Sequence, residues 1–402
     1  MKKKIISDVL LNILASVFPI FILQFILLPL VASDIDANSY GYLITIIAWI
    51  NLSALTLGSV LNNSRLIYNS TYEELNFKGD YNILLLSFLL INILITPIGV
   101  WYFEKEFNLI NIVLMLFISI FMFVRGYAIV EFRIKLNYKY ILLDSVYVMV
   151  GYGVGYVLFI ISDYWQLIYL CGFVFSFLFV VNKTNILREP FNRTPLFKKT
   201  SLRTFTLLVS ALLNGVTVYL DKLLLFPLLG GLSVSIYYTA TILGKTITLV
   251  IGPTTGVFLS YLARLKKIEN KSFLILLVSS FIVGVIGYFF VILISKPLLG
   301  FLYPQFVSEA LNYIYITTLS IIITITSNIL NPVILKFCGV KWQVIINFIY
   351  LINYTGLSLI LLNYYGLMGF CIGILIASII KLFSIIIVYF LTFSKKRGTI
   401  RC

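Results

Sequence analysis

The sequence predicts an all-α polytopic membrane protein with about twelve transmembrane helices. Hydrophobic residues make up 61% of the 402 residues, and the mean hydropathy is +1.05, beyond the range of soluble globular proteins. Twelve apolar stretches are present, most of them about 20 residues or longer, which suffices to cross a hydrocarbon core of about 30 Å. The predicted spans are 8–31, 41–62, 81–103, 109–131, 141–162, 166–182, 205–229, 234–259, 272–295, 309–332, 344–362 and 367–393.

The distribution of basic residues predicts the topology. Of the 30 Lys and Arg residues, 24 fall in the two termini and in every second loop, whereas the intervening loops hold only Lys105 and Lys296. The positive-inside rule therefore places both termini in the cytoplasm and gives an even number of crossings. This topology explains the formal charge of +15, so we expect membrane lipids, and no nucleic acid, as partners.

The chain lacks the residues that most metal and redox sites need. It contains no histidine, the commonest metal ligand and general base, and only four cysteines, none of them in a CxxC pair. We therefore predict no metal, no cofactor and no catalytic site.

A faint repeat relates the two halves of the chain at an offset of about 200 residues. Six ordered correspondences include Pro29 with Pro227, Arg65 with Arg264 and Pro97 with Pro297. Chance matches arise in any regular helical array, but six in order favour a duplication. The predicted domains are a six-helix bundle at 1–182, a basic cytoplasmic linker at 183–204 that contacts anionic lipid, and a second bundle with a cytoplasmic tail at 205–402. Such parallel repeats suit transport by alternating access.

Charged residues within the predicted spans mark the candidate substrate site. A charge near the bilayer centre costs about 2.5–3.5 kcal/mol, so such residues usually face a bundle interior or a wet cavity. Lys245 and Lys381 lie near the middle of spans eight and twelve, where each either lines a cavity or pairs with a carboxylate or carbonyl group as a structural lock.

Four further residues in the spans have weaker positional arguments. Lys222 follows Asp221 in span seven, and the two form part of an intramembrane charge network or point to different faces. Arg125 lies close enough to the cytoplasmic end of span four to reach the interface, and Asp144 is expected at the interface.

An interior with four cations and one deep carboxylate favours an anionic cargo such as a phosphate or pyrophosphate headgroup. We therefore predict Lys245, Lys381, Lys222 and Arg125 as substrate-binding residues. Five tyrosines near the outer ends of the spans are expected to form an interfacial aromatic belt or to stack against sugars. They are Tyr40, Tyr42, Tyr219, Tyr237 and Tyr238.

The chain resembles the polysaccharide flippases of bacterial O-antigen and capsule assembly, in the multidrug/oligosaccharidyl-lipid/polysaccharide exporter superfamily. The layout of nearly the whole chain carries this resemblance, together with several soft motifs. They are Leu28-Pro29-Leu30-Val31-Ala32, Asn38-Ser39-Tyr40-Gly41-Tyr42, Asn62-Asn63-Ser64-Arg65, Phe132-Arg133-Ile134-Lys135-Leu136, Tyr219-Leu220-Asp221-Lys222, Ser235-Ile236-Tyr237-Tyr238-Thr239-Ala240 and Leu302-Tyr303-Pro304-Gln305-Phe306.

The resemblance implies a MATE-like fold with two bundles around a central cationic cavity. The implied cargo is an undecaprenyl-pyrophosphate-linked oligosaccharide, moved from the cytoplasmic to the outer leaflet of the bacterial inner membrane. Polymerases and glycosyltransferases of the same pathway are the implied partners. In such proteins the first, second, seventh and eighth helices line the cavity, which favours Lys245, Lys222 and Asp221, with Asp221 as the candidate carrier of a coupling ion.

Three other functions fit parts of the sequence. A membrane-bound O-antigen polymerase or glycosyltransferase would need a large outward loop, and the longest predicted one, 296–308, has about 13 residues. A multidrug or cation antiporter on the same fold would prefer an acidic cavity. A lipid II flippase would usually have extra helices beyond twelve.

Overall fold

The computed structural model describes residues 2–104, 108–263 and 270–398. In these ranges the chain is almost wholly helical, and ten helices are long and apolar enough to cross a membrane. These are α1 (Leu10–Asp34), α2 (Ala37–Glu74), α3 (Asp80–Glu104), α4 (Leu109–Ile134), α5 (Tyr138–Ser162), α6 (Gln166–Lys183), α7 (Phe197–Thr248), α8 (Asn270–Leu302), α9 (Pro304–Cys338) and α10 (Lys341–Thr392). The predicted class, a polytopic all-α membrane protein, is confirmed.

Two of these helices are long enough to cross a membrane twice. α7 and α10 have 52 residues each, about 78 Å at 1.5 Å per residue, more than twice the hydrocarbon thickness. Each contains one residue with non-helical backbone angles, Gly230 (φ 81°, ψ 176°) and Gly366 (φ 56°, ψ −139°), and glycine tolerates such positive φ values. Both glycines lie where the sequence predicts a boundary between spans. The count of twelve is nevertheless not confirmed and stays a prediction.

The chain reverses direction at Gly366. A Cβ atom placed on Gly369 would lie 1.9 Å from the carbonyl oxygen of Leu361, and one on Gly373 would lie 2.5 Å from the Cα of Ser358. In a straight helix these pairs would be about 12 and 22 Å apart. α10 is therefore a hairpin of two arms, 341–365 and 367–392, and the glycines allow the arms to approach closely.

The chain divides into two compact units, unit 1 (Met1–Val234) and unit 2 (Ser235–Cys402). Unit 1 contains α1 to α6 and the first part of α7, and unit 2 contains the second part of α7 and α8 to α10. The boundary lies within α7, whereas the sequence predicts bundles separated by the linker 183–204. The internal duplication itself stays a prediction.

Each unit has its own packed interior. In unit 1, small residues bring helices together: a Cβ atom on Gly155 of α5 would lie 2.3 Å from the carbonyl oxygen of Leu167 in α6. In unit 2, the rings of Phe273 and Tyr389 stack with their centroids 3.7 Å apart, within a buried cluster that includes Leu330. These interiors hold the helices that carry the charged residues described next.

Candidate functional site

Lys381 is a buried cation whose contacts are neutral. It lies on the second arm of α10 and is 6% exposed. Its Nζ atom donates a hydrogen bond of 3.0 Å to Oδ1 of Asn328 in α9, and it lies 4.6 Å from the ring centroid of Tyr350 on the first arm of α10. An amide oxygen and an aromatic face both stabilise an ammonium group, but neither neutralises its charge.

Unit 2 offers little negative charge to balance Lys381. In the described part of unit 2 the sole carboxylate side chain belongs to Glu309, and that residue is exposed. Glu309 precedes Asn328 by 19 residues on α9, about 28 Å along the helix axis. No ion pair of Lys381 occurs among the described residues. A buried charge left in this state has a large desolvation penalty unless an anion joins it.

Polar side chains extend the Lys381 contacts along one face of α9. Thr324 and Ser378 share a hydrogen bond of 3.0 Å between their hydroxyl oxygens, one turn away from Asn328 and Lys381 on their respective helices. On the other side, the buried Oδ1 atom of Asn331 has no hydrogen-bond partner in the described structure. The sequence analysis missed Asn328 and Tyr350. The signal that marks Asn328 is the spacing of Thr324, Asn328 and Asn331, which places three polar residues on one face of an apolar helix.

Lys245 lies in the same unit, three residues before the end of α7. It is half-buried, and its Nζ atom lies 5.6 Å from the ring centroid of Tyr237, two turns earlier in α7. The neighbouring Gly244 abuts Ile321 of α9, seven residues before Asn328. The levels of Lys245 and Lys381 therefore differ by about 10 Å along α9.

Lys222 and Asp221 lie in unit 1, on the first part of α7. Asp221 is 2% exposed, and its Oδ1 atom accepts a hydrogen bond of 2.9 Å from the backbone amide of Lys222. The Lys222 side chain is half-buried, with Nζ 6.0 Å from the ring centroid of Tyr219. A carboxylate and an ammonium group therefore share this level of α7, as the sequence suggests.

Arg125 is bound in an ion pair inside unit 1. Its Nη2 and Nε atoms donate to Oδ2 of Asp144 over 2.6 and 3.0 Å, and Nε also contacts the hydroxyl oxygen of Ser176 at 2.7 Å. Ser176 in turn donates to the other carboxylate oxygen of Asp144. Asp144 has no exposed surface, and Arg125 neutralises its charge within the helix bundle; its interfacial depth stays a prediction.

Three of the five tyrosines do not fit the expected belt. Tyr40, Tyr237 and Tyr238 are each at most 5% exposed, so they present almost no surface to lipid, whereas Tyr219 is half-buried. Tyr42 is half-buried and accepts a hydrogen bond of 2.8 Å from the side-chain amide of Asn111.

Comparison with known proteins identifies the fold. No family model matches the chain, and no curated protein sequence matches it at a significant level. Several solved structures, among them the following three, match nearly its whole length. An inward-facing multidrug resistance MATE family transporter of the MOP superfamily is 14% identical, with 98% of this chain and 95% of that chain covered and a TM-score of 0.68. A MATE protein in the bent conformation is 15% identical, with coverages of 99% and 96% and a TM-score of 0.64.

The third structure is the lipid II flippase MurJ in an inward closed conformation, which is 14% identical, with coverages of 96% and 86% and a TM-score of 0.68. The chain is thus a multi-pass membrane protein with a transporter fold. More particularly, this is the fold shared by MATE transporters and MurJ, and these neighbours are transporters and flippases rather than enzymes. Identity this low defines the fold alone, so the cargo has to be argued from the buried charges.

Proposed function

We propose that this protein is a flippase for undecaprenyl-pyrophosphate-linked oligosaccharide repeat units of an O-antigen or capsule. In this proposal it moves them from the cytoplasmic to the outer leaflet by alternating access through a cationic cavity. The observation that carries the proposal is the burial of Lys381 with no carboxylate partner among the described residues. A phosphate oxygen supplies the negative charge that this environment lacks, and Lys is a common donor to phosphate.

The charge balance of unit 2 supports an anionic cargo over a cationic one. Its sequence contains 13 basic and 2 acidic residues, whereas unit 1 contains 17 basic and 13 acidic residues. A cation antiporter would be expected to place carboxylates where this chain places Lys245 and Lys381. The likeness to MurJ, a flippase for lipid II, supports a lipid-linked cargo, while the O-antigen or capsule assignment rests on the sequence resemblance.

Within this proposal the charged residues have different roles. Lys381 and Lys245 bind the pyrophosphate in unit 2, and Lys222, in unit 1, is a further proposed substrate-binding residue. Asp221 is the candidate carrier of a coupling ion. Arg125 is predicted from the sequence to bind substrate. It is better suited to a structural role, because its guanidinium group already forms an ion pair with Asp144.

The proposed location is the bacterial inner membrane, with both termini in the cytoplasm. The excess of basic residues in alternate loops supports this orientation. A polymerase and the glycosyltransferases of the same pathway would act directly after and before the flippase, since they consume and supply the lipid-linked repeat unit.

Deletion of the gene in its host, followed by gel electrophoresis of the surface lipopolysaccharide, tests the proposal. Loss of a flippase leaves bare lipid A–core, with lipid-linked repeat units accumulating inside the cell, and the wild-type gene restores the ladder. Loss of a polymerase leaves core capped by a single repeat unit, and that result would overturn the proposal. Complementation with Lys381→Ala, compared with Lys381→Arg at matched protein level, then tests the site: we expect no ladder with alanine and a partial ladder with arginine.

A further inference from the structure

We propose that the first part of α7, residues 197–229, moves with unit 1, and that the chain passes into unit 2 at the break at Gly230. In the two six-helix bundles predicted from the sequence, this helix would move with the C-terminal bundle, and the hinge would lie in the linker 183–204. The proposal does not depend on the cargo. It assumes only that the two units move relative to each other.

The segment that connects α6 to α7, residues 184–196, is fixed to unit 1 by buried charged groups. Glu131 accepts hydrogen bonds of 2.7 and 2.9 Å from the backbone amides of Asn185 and Ile186. Arg65 binds both carboxylate oxygens of Glu189, at 2.7 and 3.2 Å. Glu131 and Arg65 are only 8% and 6% exposed, so releasing the segment would remove hydrogen-bond partners from buried charged groups.

The C-terminal end of the segment 184–196 is also fixed to unit 1 by close contacts. Asp80, which has no exposed surface, accepts hydrogen bonds from both the backbone amide and the hydroxyl group of Thr194. Gly79 has a φ of 117°, and a Cβ atom there would lie 2.6 Å from the backbone nitrogen of Asn192. A segment packed this tightly against a glycine and anchored at both ends is poorly suited to act as a hinge.

The inner end of α7 is joined to α2 by hydrogen bonds between buried hydroxyl groups. The hydroxyl oxygens of Thr200 and Tyr72 are 2.8 Å apart, and those of Thr204 and Ser64 are 2.7 Å apart. All four residues are at most 4% exposed. Sliding or tilting α7 against α2 would break both of these hydrogen bonds between buried groups and remove the α2 partners of Thr200 and Thr204, at a cost comparable to a lost hydrogen bond for each.

The contact with α2 continues to the other end of the helix. The rings of Phe226 and Tyr42 have centroids 6.0 Å apart, and the backbone amide of Leu232 donates to Oδ1 of Asn38 over 3.0 Å. Contacts with α2 therefore extend from residue 200 to residue 232, about 48 Å along the helix. The first part of α7 is in this way packed as the seventh helix of unit 1.

Beyond Leu232, which still contacts Asn38 of α2, the chain contacts a different set of helices. The hydroxyl group of Thr317 in α9 donates to the carbonyl oxygen of Ala240 over 3.2 Å, and Gly244 abuts Ile321. Gly230 itself has a positive φ and open space where a Cβ atom would point. The change of packing partners within about ten residues of a glycine with positive φ places the hinge there.

Disulfide cross-linking in a variant without native cysteines tests the proposal. One pair, Ser64→Cys with Thr204→Cys, replaces two touching hydroxyl groups. A second, Leu52→Cys with Gly215→Cys, lies farther along α7, where a Cβ atom at Gly215 would be 3.0 Å from Leu52 Cδ1. We expect both cross-linked proteins to keep the transport rate measured before oxidation. Loss of transport that returns on reduction would overturn the proposal.

A matched control joins α3 to α4. These two helices belong to one rigid body both in the predicted six-helix bundles and in the proposal made here. The pair Thr96→Cys with Ser119→Cys replaces hydroxyl groups whose oxygens are 2.8 Å apart. The transport rate of this cross-linked protein is the reference for a cross-link that does not restrict motion between the units.

Spin-label distances test the same point without any cargo, so a wrong assignment of the substrate would not affect the result. Labels at Asp163 and Lys199 report the position of α7 within unit 1, and labels at Asp163 and Ser308 report motion between the units; all three positions are exposed. We expect the distribution of the Asp163–Lys199 distance to be as narrow as that of a reference distance between Asp163 and Ser70. An Asp163–Lys199 distribution as broad as the Asp163–Ser308 distribution would contradict the proposal.

Discussion

The two units stabilise a buried cation in different ways. In unit 1, Arg125 donates to a carboxylate, Asp144, which also accepts a hydrogen bond from Ser176. In unit 2, Lys381 donates to an amide, Asn328, and lies against the ring of Tyr350. Each cation therefore has a side-chain oxygen on a neighbouring helix, but among the described residues only Arg125 has a counter-charge. In that part of the chain, unit 1 is locally neutral around Arg125, and unit 2 is not neutral around Lys381.

This difference separates a structural charge from one available for binding. A neutralised guanidinium group with its hydrogen bonds satisfied has little to gain from a ligand. An ammonium group with a neutral partner still carries a field that attracts an anion, and in a low-dielectric interior that field is strong. The predictions below exchange or remove the groups that create the difference.

The largest expected effect follows from removing the counter-charge in unit 1. Asp144→Asn leaves the Arg125 charge largely buried beside an amide, as Lys381 is, but in a site without an anionic cargo. Breaking a buried pair from one side typically costs about 3–5 kcal/mol, so we expect a large fall in thermal stability in detergent and in protein yield. Asp163→Asn at the exposed end of the same helix should change stability by less than about 0.5 kcal/mol.

A double variant sharpens this test. Arg125→Gln combined with Asp144→Asn removes both charges and should recover most of the stability lost by Asp144→Asn alone, with transport retained. If the double variant is stable but does not transport, then Arg125 acts on the cargo and the structural role assigned to it here is wrong.

The reverse exchange in unit 2 is expected to act on transport rather than stability. Asn328→Asp places a carboxylate at 3.0 Å from the Lys381 amine with almost no change in shape. The new ion pair should keep or raise the melting temperature while lowering transport at least tenfold, because the amine no longer attracts an anion. Transport assays and thermal unfolding on the same preparations measure the two effects.

Asn312→Asp is the matched control, because it makes the same change at an exposed residue of the same helix, about 24 Å from Asn328. It should leave both quantities unchanged. Normal transport by Asn328→Asp would show that Lys381 is a structural lock, like Arg125.

The sequence was sufficient to predict the membrane class, but not the partners of the charged residues. Hydropathy depends on composition along one helix, so residue counting alone predicts that Lys381 lies near the bilayer centre, and this depth stays a prediction. Whether a cation meets a carboxylate depends on the rotation of two helices, and Arg125 and Asp144 are on separate spans with no spacing rule that relates them. The same limit applies to α7. Loop length and charge indicated a linker at 183–204, whereas the buried anchors Glu131 and Asp80 that fix this segment lie far from it in sequence.

A smaller effect is expected from the half-buried lysines, and it compares the units directly. If the cargo is held mainly in unit 2, Lys245→Ala should reduce transport several-fold more than Lys222→Ala, because Asp221 beside Lys222 already offsets part of its charge. Lys245→Arg should retain part of the activity. Lys296→Ala, at an exposed position of unit 2, controls for the loss of one positive charge. Equal losses at positions 222 and 245 would argue that the two units share the anion equally.

The smallest expected effect concerns how each unit starts a helix. In unit 1, the carboxylate of Asp36 accepts hydrogen bonds of 2.9 and 3.1 Å from the backbone amides of Asn38 and Ser39 and so caps the start of α2. In unit 2, α9 begins after Tyr303, which provides no side-chain cap. A hydrogen bond with the Ser39 side chain lowers the pKa of Asp36 below its usual value of 3.8.

A lowered folded-state pKa means that the ionised cap stabilises the protein above about pH 4 and that this contribution is lost as the pH falls through the folded-state value. We expect Asp36→Ala to cost about 1 kcal/mol at pH 7, and Asp36→Asn to keep most of the cap while removing its pH dependence below pH 4. Thermal unfolding at pH 7 and between pH 4 and pH 3 measures both effects, with Asp34→Asn, an exposed residue two positions earlier, as the control. If Asp36→Ala and the wild type lose stability in parallel below pH 4, the acid sensitivity arises elsewhere, and the cap in unit 1 contributes no more than the uncapped start in unit 2.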